Sequence, residues 1–275
     1  MNLYRQFLTV LCVGLFVSHT SAQLSTGRVI TPDGIPVSYV NVGIVGKNVG
    51  TVTDPDGNFS LELQDKFDDD SIRFSIVGYT SATRSVRSFR DDTSKTIMLY
   101  PQTYSLSEVK VSSRKFRKTT IGYPVPGTDL RSGFSENELG SELGVRLSTN
   151  KPVLLRNLNL NIGICTYDSV TYRMNIYKAL SDDLFENVLM KPVYIRFGGV
   201  DTSRPVVIDI SDQLIEVNGD FLVTLELYKD LGVGKLLFNT QYFTGITYHR
   251  KVSQGTWTKS PGAVGIYING LIIRD

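Results

Sequence analysis

Apolar and polar residues alternate with a period of two along much of the chain after residue 24, and that period predicts strands. Val40, Val42 and Ile44 share one face of the first such stretch, and Phe59, Leu61 and Leu63 share one face of another. Ile72, Phe74 and Ile76 repeat the pattern, with Arg73 and Ser75 opposite. Turn formers separate these runs: Asp33-Gly34, Gly46-Lys47-Asn48, Asp54-Pro55-Asp56-Gly57-Asn58 and Gly78. Short strands at this spacing predict a small antiparallel β-sandwich over residues 23–112.

The second half alternates with equal contrast. Leu158, Leu160, Ile162 and Ile164 fall on one face, and Asn157, Asn159 and Asn161 on the other. Val170, Tyr172, Met174 and Ile176 oppose Thr171, Arg173 and Asn175. The runs beginning at Val193, Val206, Phe221 and Val264 continue the pattern. One apolar and one polar face per strand implies two sheets over one core, so a jelly-roll-like antiparallel β-sandwich is expected over residues 126–275. Residues 112–118 are basic and lack alternation, and residues 113–125 read as a linker. Ser135 and Glu138 imitate a capping box, but Gly140 and Gly144 limit any helix there to a turn or two.

The N-terminus adds a compartment. Arg5, an apolar stretch over residues 7–17 and the small residues before Gln23 read as a secretory signal peptide over residues 1–22. The stretch is too short for a stable membrane span. Cys12 lies inside it behind Leu11, which argues against lipidation. No later segment is apolar for long enough to cross as a helix. The mature chain is expected in the periplasm or associated with the outer membrane, without a lipid anchor.

Composition then removes functions. The formal net charge is +2 over 275 residues, and loss of Arg5 brings it closer to neutral, so no electrostatic case exists for nucleic acid. Of two His and two Cys, His249 and Cys165 alone follow the leader. An internal disulfide is then impossible, and no metal site or cofactor is expected.

The order Gly27-Arg28-Val29, Asp33-Gly34-Ile35-Pro36-Val37, Val40-Asn41-Val42, Gly50-Thr51-Val52-Thr53-Asp54, Asp56-Gly57-Asn58-Phe59 and Val77-Gly78-Tyr79, closed by Leu106-Ser107-Glu108-Val109-Lys110-Val111, resembles the carboxypeptidase-regulatory-like domain. The resemblance covers about a third of the chain and implies a seven-stranded, transthyretin-like sandwich. In Gram-negative envelope proteins such a domain commonly precedes a TonB-dependent receptor plug and barrel, but the stretch that follows here is too short for one. Residues 172–177, 220–226 and 248–257 resemble, more weakly, the region found after the same domain in other exported bacterial proteins. That likeness implies architecture only.

Chemistry is sparse. A zinc peptidase needs three protein ligands of the His/Glu kind, and His249 is the only mature histidine. A Ser-His-Asp hydrolase lacks the Gly-x-Ser-x-Gly elbow. Cys165 beside His249 would make a thiol dyad, but Cys165 has no helix N-terminus to lower its pKa. No carboxylate pair stands out for a glycosidase. Asp54, Asp56 and Asn58 mimic the start of a calcium loop without its closing Glu, and Asp65, Asp68, Asp69 and Asp70 read as a solvated loop. Two surfaces remain as candidate ligand sites. One is the Asn157, Asn159 and Asn161 ladder. The other is Tyr248, His249, Arg250 and Trp257, together with Tyr242. The expected function is a non-enzymatic envelope interaction module that docks a protein partner; the alternative is a carbohydrate-binding accessory protein in glycan uptake.

Overall fold

The computed structural model describes residues 22–102, 115–181 and 184–274. Residues 1–21 of the expected signal peptide (1–22) and the closing motif at residues 106–111 lie outside the described residues. The first unit holds β1 (Ala22–Ile30), β2 (Asn41–Ile44), β3 (Gly50–Val52), β4 (Asn58–Gln64), β5 (Ser71–Ser75), β6 (Tyr79–Thr80), β7 (Ala82–Ser85), the single-turn helix α1 (Val86–Asp91), β8 (Thr96–Met98) and β9 (Tyr100–Pro101). Seven of these strands make two sheets, ordered β4-β1-β8 and β3-β2-β5-β7. Only the β1–β8 pairing is parallel in these sheets. The alternating apolar positions close the core: Val42, Ile44, Leu63, Ile72, Phe74 and Phe89 are fully buried, and Phe59, Phe74 and Phe89 pack ring on ring within 6 Å.

Two turns take on roles that the spacing alone left open. Asp54 Oδ1 accepts from the backbone N–H groups of Asp56 and Asn58, and its Oδ2 accepts from the Asn58 side chain. The carboxylate therefore folds the β3–β4 turn on itself. Asp54→Ala is expected to cost about 1–2 kcal/mol, read as a lower urea midpoint with an unchanged slope; an unaltered midpoint would contradict this role. The aspartates of residues 65–70 are not merely solvated. Arg90 reaches Asp65 at 2.7 Å and Asp68 at 2.6 Å, and Arg87 reaches Asp69 at 3.1 Å. They pin α1, whose N-cap is the Ser85 hydroxyl accepting from Ser88 N–H.

The second unit comprises β10 (Lys115–Gly122), β11 (Arg131–Phe134), β12 (Glu142–Leu160), β13 (Ile162–Cys165), β14 (Ser169–Ala179), β15 (Phe185–Asn187), β16 (Val193–Gly198), β17 (Val206–Asp209), β18 (Glu216–Glu226), β19 (Leu236–Arg250), β20 (Thr258–Val264) and β21 (Ile266–Arg274). All join one continuous set of antiparallel pairings that folds over a single core. The 19-residue β12 achieves this. Its first part pairs with β18 and β19 and its second part with β17 and β21, with a register break after Thr149. The jelly-roll-like sandwich holds as two antiparallel layers.

The expected linker is a correction. Lys115–Gly122 is a strand paired residue by residue with β21, from Lys115↔Arg274 to Gly122↔Tyr267. Phe116, Arg117 and Lys118 are all exposed, and only Ile121, at the end of this outer strand, packs against the core. Such a strand carries no alternation for a sequence to display, and its cations discourage further edge pairing. Among the described residues no helix is long and apolar enough to cross a membrane.

Candidate functional site

Strand register builds the most unusual feature of the molecule. Arg250↔Glu142, Glu142↔Glu226 and Glu226↔Arg173 are direct cross-strand neighbours on β19, β12, β18 and β14. The result is an Arg-Glu-Glu-Arg row across four adjacent strands. The next row inward places Gly144 opposite Thr224 and Thr224 opposite Asn175. These are outer-face positions of the second sandwich, yet Arg173, Glu226, Glu142, Thr224 and Asn175 are at most 2% exposed.

The first domain covers them. Arg173 forks onto Glu226, with Nε to Oε2 at 2.9 Å and Nη2 to Oε1 at 2.8 Å. Its remaining donors cross to the other domain, Nη2 to Asn41 Oδ1 at 2.8 Å and Nη1 to the Tyr39 carbonyl at 2.7 Å. Arg250 Nη2 meets Glu142 Oε2 at 2.5 Å. The Thr224 hydroxyl and the Asn175 amide donate to Glu142 Oε1, and the Tyr177 hydroxyl donates to both its oxygens. Asn175 Nδ2 also donates to Glu226 Oε2 at 2.7 Å, linking the two carboxylates. Two guanidinium and two carboxylate charges cancel, which burial requires.

The carboxyls are pushed in opposite directions. Burial raises the Glu226 pKa, but the forked Arg173 guanidinium outweighs it and holds the group below the ordinary glutamate value. Burial raises Glu142, and although Arg250 opposes this, the neighbouring Glu226 charge adds to it and the group ends above its ordinary value. Glu226 therefore contributes stability that is present above the unfolded pKa and lost as pH falls through its folded one. Glu142 contributes in the opposite sense, with stability present at low pH and lost as pH rises.

Beside the row, a loop of the second domain seats on bare backbone of the first. Gly43 and Gly50 face each other across β2 and β3, and a Cβ on either would stand 2.2 or 2.3 Å from the Ser253 carbonyl oxygen. Only glycine permits that approach. Ser253 Oγ donates to Asn41 Oδ1 at 3.0 Å, Gln254 Nε2 to Ser75 Oγ at 2.8 Å, and Gly46 N–H to the Gln254 carbonyl at 2.9 Å. Tyr39 and Gln254 both adopt left-handed backbone, with φ of 59° and 61°. Such strain at a non-glycine residue costs about 1–2 kcal/mol and persists here where both domains fix the contact. The Tyr39 ring packs against Tyr228 and Tyr194 of the second domain.

A cleft of about 440 Å³ opens between the domains next to this contact. Arg73, Ser75, Tyr79 and Ser81 line one wall, and Tyr177, Phe185, Asn187, Arg250 and Trp257 line the other. A second interdomain hollow of about 860 Å³ lies around Tyr39, Tyr228, Arg28 and Lys95.

The sequence candidates are dispersed. Arg250 and Trp257 meet in the cleft, the guanidinium 4.9 Å from the indole centroid. Tyr248 is 1% exposed, behind Phe185, and offers a ligand nothing. His249 points to the opposite face and lines a separate hollow with Ser132, Glu138 and Ser260; burial first, and Lys251 second, lower its pKa and favour the neutral imidazole. Tyr242 lies in an exposed bulge of β19. In the asparagine ladder, Asn159 is 2% exposed and donates to the Asn157 and Tyr267 carbonyls. Asn157 and Asn161 are only half-buried, so that face presents no continuous amide surface. A register shift between Ile162 and Ile164 breaks the alternation before Cys165, which is half-buried with Sγ 3.5 Å from the Tyr167 carbonyl. Among the described residues no three His, Cys, Asp or Glu side chains are grouped as metal ligands.

The glutamates and Arg173 were not singled out by sequence reasoning. The available signal was a run of charged and amide residues, Arg173, Asn175 and Glu226, on strands otherwise rich in core residues.

No curated protein matches the chain in sequence. The family model of the CarboxypepD_reg-like domain matches residues 25–111, which span both sheets of the first sandwich and the glycine pair that seats Ser253. That match, with the seven-stranded two-sheet core, identifies the N-terminal unit as a CarboxypepD_reg-like domain, a regulatory and non-catalytic type.

Proposed function

We propose that the chain is an exported, non-catalytic binding protein of the cell envelope, whose CarboxypepD_reg-like domain and second sandwich are docked as one unit with the ligand received in the cleft between them. The observation that carries this reading is the state of the fully buried carboxylate pair, Glu142 and Glu226. The two are joined through the Asn175 amide, and a pair of carboxylates is what a glycosidase would need. Yet all four of their oxygens accept hydrogen bonds from the protein, and neither side chain is exposed to solvent. A general acid or base must exchange a proton with substrate, and these carboxyls face guanidinium groups and the covering domain. Their work is to hold the domain contact, which leaves the neighbouring open cleft for recognition. Export rests on the leader pattern of residues 1–22.

The test is to incubate residues 23–275 with envelope glycans and peptides, following binding by calorimetry and turnover by chromatography. Saturable binding without product is expected. Product formation that disappears in Glu142→Gln would overturn the reading.

A further inference from the structure

We infer that the 440 Å³ interdomain cleft takes a carboxylate-bearing saccharide, an inference that rests on the cleft being the binding site. The charged side chains lining it are Arg73, Arg173, Arg250 and Glu186. Arg173 and Arg250 are committed to Glu226 and Glu142. Arg73 is different. It is exposed, donates only to the Ser81 hydroxyl at 3.2 Å, and has no acidic partner among the described residues. Glu186 is exposed and stands across the strand pair from Lys178, whose charge offsets it.

The cleft is rich in donors. Arg250 Nε is buried and has no acceptor among the described residues. Arg73 adds a planar fork suited to a carboxylate. The amide acceptors of the second wall are already used, since Asn187 Oδ1 accepts from Leu189 N–H and Asn175 Oδ1 accepts from Asn187. A ligand that complements these walls is acceptor-rich and anionic. Trp257 and Phe185, with centroids 5.7 Å apart and rings at 74°, give it apolar surface of the kind a sugar ring packs on. The volume is within the range of small-ligand sites.

The single Trp of the chain reports on this cleft. The mature chain would be titrated with a uronic-acid oligosaccharide, with the same oligosaccharide after carboxyl reduction, and with a short peptide bearing a free C-terminal carboxylate. Trp257 emission and calorimetry would be read in parallel, so that a silent fluorophore does not hide binding. The acidic oligosaccharide is expected to bind saturably, the reduced form at least tenfold more weakly. Arg73→Ala is expected to weaken the acidic ligand at least tenfold with an unchanged melting temperature, and Arg73→Lys to restore part of the affinity. Equal binding of acidic and reduced forms, or binding of the peptide alone, overturns the saccharide carboxylate while leaving the cleft as a site. Binding by none of the three, in either readout, overturns the cleft reading as well.

Discussion

Arg173→Met is expected to destabilise the protein by about 3–5 kcal/mol at pH 7.5, among the largest effects available to a single side chain here. The variant leaves Glu226 fully buried without its forked partner and removes the two hydrogen bonds to Asn41 and the Tyr39 carbonyl. A buried ion pair is itself weak evidence for stability, because desolvation offsets most of its attraction. Breaking one side of the pair is costly because the survivor stays charged. The pH dependence carries the signature. In the native protein Glu226 is held below its ordinary pKa, so its contribution fades as pH falls. In the variant, burial without the guanidinium raises it, so its penalty grows as pH rises. The gap between variant and native protein therefore narrows from pH 7.5 to pH 4.5. Adding Glu226→Gln is expected to recover part of the loss at pH 7.5 and to flatten the pH dependence. Equal losses at both pH values would mean that lost packing, and not the stranded charge, sets the cost.

The second large effect comes from the smallest change. Gly43→Ala and Gly50→Ala add one methyl each to strands whose backbone angles at these positions lie outside the left-handed region, so neither strains its own residue. Each methyl would overlap the Ser253 carbonyl oxygen at 2.2 or 2.3 Å, and Ser253 has little room to retreat. It is fully buried, bonded to Asn41, and backed by Gly140, where a Cβ would meet the Ser253 amide nitrogen at 2.4 Å. Overpacking of this kind costs about 1–3 kcal/mol per site. The pair is expected to loosen the domain contact while leaving both cores intact, read as faster hydrogen exchange at residues 252–256 and around Asn41. Unchanged exchange there would show that the loop does not depend on the bare glycine patch.

The fold was more legible than the site, for a definite reason. Alternation at Phe59, Leu61 and Leu63, or at Val170, Tyr172, Met174 and Ile176, reports a core on one face, and both cores formed where that pattern placed them. The same reading treats the opposite face as wet. That inference failed at Arg173, Asn175 and Glu226, because a second domain covers them, and no periodicity within a strand encodes what docks on its outer face. Lys115–Gly122 failed for the complementary reason, being exposed over residues 116–118 and so showing no period there. The pairing of Glu142 with Glu226 depends on register between strands about 80 residues apart, which spacing does not reveal. Trp257 and Arg250 were visible as a rare indole beside a cation, and the fold places both in the cleft. Tyr248 shares the strand face of Arg250, but Phe185 packs over it and leaves it 1% exposed.

The Arg-Glu-Glu-Arg row and the Ser253 loop are expected to lock the two sandwiches into one unit, which scanning calorimetry of residues 23–275 reads out. One cooperative transition is expected, with calorimetric and van't Hoff enthalpies equal, splitting into two when Gly43→Ala and Gly50→Ala are combined. Two well-separated transitions in the unaltered chain would contradict it.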